Sequence, residues 1–269
     1  MAFASVTTSS EAIAQRFAEL RAGGRRAVVV YVTAGYPDPA SSVELLRGLE
    51  SAGADVVEVG VPFSDPIADG PIIQASSQRA LEHGVTFGRT LDLIAEAQAR
   101  IPVVLFTYLN PLVAAGPDAL QRASDAGAHG ILVTDLPLGS DDEREAWLAS
   151  GPLAFVRLVA PTTPRTRMAR IAEQGRGFVY LISRLGVTGE RDDLPRELAD
   201  TVARLRDVTD LPICVGFGIS GPEQARTVAA MADGVVVGSA IVRASAAGPD
   251  GALRLTRALR EAVDSLGAA

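Results

Sequence analysis

Two carboxylates stand out in the stretch VVEVGVPFSDPIADGP, residues 56 to 71. Glu58 interrupts a run of valines that otherwise reads as a buried strand, and Asp69 follows in a proline-rich loop. A buried carboxylate is costly unless a partner satisfies it or chemistry uses it. An ion pair with one of the many arginines is the structural explanation for Glu58. The chemical one is proton transfer, because desolvation raises such a pKa into the range where the group both gives and takes a proton. Asp69, in Ala-Asp-Gly, has the residue type of a turn as readily as that of a catalytic partner.

Glycines mark a second kind of chemistry. SRLGVTGE (183–190), GFGIS (216–220) and VGSAIV (237–242) each follow an apolar run in the last third of the chain. Glycine lets backbone amides approach phosphate oxygens at a helix start, and Ser239 adds a hydroxyl.

Other chemistry is disfavoured. All 25 basic residues are arginine. Without lysine there is no Schiff base with a carbonyl substrate and no covalently anchored pyridoxal phosphate. Cys214, the single cysteine, lies in LPICVGFG; it permits no intrachain disulfide and reads as a small buried hydrophobe. His83 and His129 have no second ligand at a recognisable spacing, so they read as structural and neither a zinc site nor a cofactor is expected. A net charge of −7 and a pI near 5.0 argue against nucleic acid. No apolar run reaches the roughly 18 residues of a membrane span. The N-terminal MAFASVTTSS lacks the features of a signal peptide. A cytoplasmic protein is expected.

The elements that must position these residues follow from periodicity. Eight short apolar runs are strand-like: 27–33, 55–60, 102–108, 129–134, 153–159, 177–183, 211–217 and 234–239. Segments of helical period, such as SSVELLRGLESAG and TLDLIAEAQAR, separate them. The runs are continuously Val/Ile/Leu-rich rather than alternating, as parallel strands covered on both faces require. Eight such units in 269 residues predict a (β/α)8 TIM barrel, one domain over 1–269, with an extra helix in SEAIAQRFAELRAG before the first strand. A doubly wound sheet is the alternative, weakened by the lack of G-x-G-x-x-G after the first strand. In a barrel the site forms at the C-terminal strand ends. Glu58 is near that end of the second strand, and phosphate sites commonly use the loops after strands seven and eight.

Taken together, VEVGVPFSDPIADGPIIQ, YLISRLGVTG, VGFGIS and VVVGSAIV resemble the tryptophan synthase alpha chain over nearly the whole sequence. The resemblance implies retro-aldol cleavage of indole-3-glycerol phosphate to indole and glyceraldehyde 3-phosphate. It also implies a beta chain partner, in an alpha2-beta2 complex, that takes the indole. It places Glu58 on the catalytic acid/base, Asp69 on the aspartate holding the indole nitrogen, and Tyr180 beside them. Gly189, Gly218, Gly238 and Ser239 fall on phosphate-binding positions, and Phe217, Leu132, Thr134 and Ile73 at or near the indole pocket. Thr188 falls on a mobile loop that closes over Asp69. Pro62, Asp65 and the stretch around Asn110 fall on the beta-facing side. Tyr31 and Leu185 depart from the phenylalanine and the small residue frequent there. Two rivals remain open at this point: another phosphosugar barrel, and a catalytically silent subunit that regulates a beta chain.

Overall fold

The computed structural model describes residues 10–183, 197–216 and 218–268. Among them run nine parallel strand segments: β1 (Ala27–Thr33), β2 (Val56–Gly60), β3 (Val103–Thr107), β4 (Gly130–Val133), β5 (Ala154–Phe155), β6 (Arg157–Val159), β7 (Val179–Ile182), β8 (Ile213–Gly216) and β9 (Gly234–Val237). β1 pairs in parallel with both β2 and β9. The sheet order begins at β5 and ends at β6, and only Val156 separates those two in sequence. The run expected as one fifth strand is therefore broken. Ala154–Phe155 pairs with β4 and Arg157–Val159 with β7, so the fifth strand position closes the barrel.

Side chains alternate between two cores. In β1, Ala27, Val29 and Tyr31 join the barrel interior, while Val28, Val30 and Val32 meet the helix layer. Burial on both faces explains the unbroken valine run. Helices cover the outside, and their starts are set locally. Asp38 accepts from the Ser41 amide at 3.0 Å before the helix Pro39–Gly48, and Thr86 caps Phe87–Ala97 through the Arg89 amide.

The expected extra helix is Glu11–Ala22. Its Ile13, Phe17 and Leu20 enter the interior cluster, so it plugs the barrel end remote from the strand C-termini. Phe17 meets Phe178 at 5.7 Å. A side chain at Gly130 would collide with Ile13, so the glycine at the start of β4 makes room for the plug. Asp55, just before β2 and 1% exposed, fastens this end. It accepts from Arg16 at 2.7 Å, from Arg260 at 2.9 Å and from the Val28 amide at 2.7 Å. Among the described residues no helix is long and apolar enough to cross a membrane.

Candidate active site

β2 is buried at every residue. Val57 and Val59 face the helices, so strand alternation turns Glu58 into the barrel with Val56 and Gly60. Glu58 is 1% exposed and sits in register between Tyr31 and Val104. Its Oε1 has no hydrogen-bond partner among the described residues. Burial lifts its carboxyl from the ordinary 4.5 to about 8, and no arginine among the described residues offsets this. The ion-pair explanation for Glu58 thus finds no partner among the described residues.

Asp69 closes the loop after β2. Backbone bonds from Ile67 to Asp65 at 2.9 Å and from Asp69 to Pro66 at 3.0 Å fold that loop on itself, and Gln74 Nε2 donates to the Asp69 carbonyl at 2.7 Å. The Tyr108 hydroxyl donates to Asp69 Oδ2 at 3.1 Å and accepts from the Ala68 amide at 3.0 Å. Burial raises the Asp69 carboxyl to about 6, and the Tyr108 hydrogen bond holds it back from rising further. Two carboxylates thus stand in one site with separated proton affinities. Near neutrality Glu58 carries its proton and Asp69 does not, the arrangement in which one acts as acid and the other stabilises positive charge.

A cavity of about 40 Å³, open to solvent at its mouth, lies toward the C-terminal ends of the strands. Ile73, Phe106, Ile219 and Val236 give it apolar wall, and Tyr31, Asp69, Tyr180 and Ser239 give it polar groups. Gly218, with φ +85°, and Gly238, just before the helix Ser239–Ala244, form its remaining edge. Glu58 stands in register with cavity-lining Tyr31, near enough to Tyr180 for its charge to raise that phenol further. Both phenols fit because the neighbouring strand offers glycine. A side chain at Gly60 would strike the Tyr31 hydroxyl, and one at Gly216 the Tyr180 hydroxyl.

The structure therefore brings Asp69, Tyr180, Gly218, Gly238, Ser239 and Ile73 to one cavity, with Glu58 in register beside its Tyr31. Leu132 packs in the barrel interior without lining that cavity, and Thr134 donates to the Thr107 carbonyl at 3.3 Å. Thr188, Gly189, Phe217 and Leu185 lie outside the described residues. Cys214 is buried in the barrel interior. His129, whose pKa burial lowers, accepts from the Val103 amide through Nδ1 at 3.2 Å, and His83 follows the helix Pro71–Glu82 as its C-cap. Sequence reasoning missed Tyr108, Phe106, Ile219 and Val236. For Tyr108 the available signal was its place directly after the third strand, where barrel residues carry chemistry.

The tryptophan synthase alpha chain family pattern matches residues 17–268. The tryptophan synthase alpha chain of Synechococcus elongatus is 45% identical over 258 residues, covering 94% of this chain and 97% of that one. The alpha chain of Prochlorococcus marinus is 48% identical over 244 residues, covering 89% and 88%. Among solved structures, Mycobacterium tuberculosis tryptophan synthase superposes with a TM-score of 0.86 at 36% identity, covering 93% of this chain and 97% of that chain. The alpha subunit from Legionella pneumophila gives 0.85 at 34% identity, covering 94% and 98%. With this barrel, this pair of carboxylates and relatives of that likeness over nearly its full length, the chain belongs to the tryptophan synthase alpha chain family.

Proposed function

We propose that Glu58 is the general acid and base, and Asp69 the cation-stabilising carboxylate, in the cleavage of indole-3-glycerol phosphate to indole and glyceraldehyde 3-phosphate. Breaking a carbon–carbon bond needs an electron sink, and this chain has no lysine to form an imine. The substrate supplies the sink itself. Glu58 gives its proton to C3 of the indole, which places positive charge on the ring nitrogen, and Asp69 accepts the hydrogen bond of that N–H. The Glu58 carboxylate then removes the proton of the adjacent chain hydroxyl. The bond from C3 to the chain breaks, its electron pair returns to the ring, and an aldehyde and aromatic indole result. Glu58 ends with the proton it began with.

The remaining residues take supporting roles. Gly218, Gly238 and Ser239, together with Gly189, bind the phosphate. Ile73 and Phe217 hold the indole, Thr188 meets Asp69 on closure, and Tyr180 confines the Glu58 carboxyl. The partner is a beta chain that receives the indole, docking on the side of Pro62, Asp65 and Asn110.

The observation that carries this reading is the buried Glu58 carboxyl at about 8, its Oε1 without a partner among the described residues, beside a cavity that Asp69 lines at about 6. Glu58→Gln keeps the shape and removes the proton. Indole release should fall by roughly 10²- to 10⁴-fold with the fold intact. Near-normal release from that variant would end the assignment.

A further inference from the structure

We propose that Tyr31 is a specificity-determining residue, whose phenolic hydroxyl hydrogen-bonds a hydroxyl on the three-carbon chain of the substrate. The inference rests on the function proposed above and adds a contact to it. Tyr31 is 7% exposed and forms part of the cavity wall. Its ring is held edge-on against Phe106 at 5.2 Å and 79°. Its Cβ lies 3.5 Å from where a side chain at Gly238 would begin, and its hydroxyl occupies the space that a side chain at Gly60 would take. The side chain therefore runs from the phosphate edge of the cavity toward the β2 loop that holds Asp69. A ligand with phosphate at one end and indole at the other must lay its connecting chain along it.

Behind the wall the buried Thr33 and Ser76 hydroxyls engage each other at 2.7 Å, and Ser76 Oγ donates to the Ile73 carbonyl at 2.8 Å. A phenolic hydroxyl, which can both donate and accept, favours in that place a ligand carrying a hydroxyl over one carrying hydrogen.

The test compares two ligands in the Glu58→Gln background, which prevents turnover. One is indole-3-glycerol phosphate; the other is the same molecule with both chain hydroxyls replaced by hydrogen. Dissociation constants are measured by calorimetry for the background alone and with Tyr31→Phe added. The phenylalanine variant should bind the hydroxylated ligand about 3- to 10-fold more weakly, the worth of one neutral hydrogen bond. It should bind the deoxy ligand within about 2-fold of the background, since the ring wall is unchanged. Equal weakening of both ligands, or of neither, overturns the inference alone. A background protein that binds neither ligand overturns the proposed function, and this inference with it.

Discussion

At the scale of single residues the site depends on keeping two like groups in different protonation states. Glu58 is buried in the barrel with no cation beside it among the described residues, so burial favours its neutral form and sets it at about 8. Asp69 is less enclosed and receives the Tyr108 hydroxyl, which stabilises its anion and leaves it at about 6. The active combination is protonated Glu58 with ionised Asp69. As pH rises through about 6, Asp69 loses its proton and kcat/KM should climb. As pH rises through about 8, Glu58 loses the proton that the indole needs and kcat/KM should fall. A pH profile of indole release checks this bell. Tyr108→Phe removes the hydrogen bond that lowers Asp69, so the acid limb should move to higher pH while the alkaline limb stays. A profile without an alkaline limb would contradict the role given to Glu58, and an acid limb indifferent to Tyr108→Phe would contradict that given to Asp69.

At the scale of elements, the barrel separates stability from chemistry along its axis. The plug helix packs Ile13 and Phe17 into one end, and the cavity opens at the other, lined by inward-facing strand residues and by the loops that follow the strands. Truncating Phe17, 5% exposed against Phe178, should cost about 3–5 kcal/mol as a lost buried aromatic and a residual cavity. The urea midpoint of Phe17→Ala should drop accordingly, while indole release per folded molecule is retained. A fall in kcat with the fold intact would show that the plug reaches the site. Much of this scaffold was legible in sequence because parallel strands covered on both faces leave near-continuous Val/Ile runs. The break at Val156 was not, since it arises from which neighbour each half of LAFVRLV pairs with, and pairing leaves no mark on composition. In the same way Glu58 was legible as an acid out of place, whereas Tyr108 was not. An aromatic residue ending an apolar strand looks like core until its hydroxyl is seen at Asp69.

At the scale of the molecule, two neighbouring segments combine exposure with a connection to the chemistry. Among the described residues the large hydrophobics that stand exposed are Ile67, at 78%, and Val113, at 38%. Ile67 belongs to the loop that ends at Asp69, and Val113 to the helix Leu109–Ala114 that follows Tyr108. Asp65 and Asn110 are exposed on the same two segments. The segments meet where Phe63 packs on Tyr108 at 5.1 Å, and where the Tyr108 hydroxyl holds both the Ala68 amide and the Asp69 carboxylate. Solitary exposed apolar residues are ordinary on a protein surface. Two on adjoining segments, joined through Tyr108 to a site carboxylate, suit a face that a partner covers and tightens. Covering it would also exclude water and fix Asp69 relative to Glu58, effects that raise rates through positioning. The expectation is that the isolated chain releases indole slowly and that added beta chain accelerates it along a saturable curve. Ile67→Asp puts a charge where the apolar contact would form, so half-maximal activation should need several-fold more beta chain than the parent requires. Asp65→Ala should shift the curve in the same direction. An indole-release rate that ignores the beta chain, or a curve that neither substitution moves, would place the docking face elsewhere.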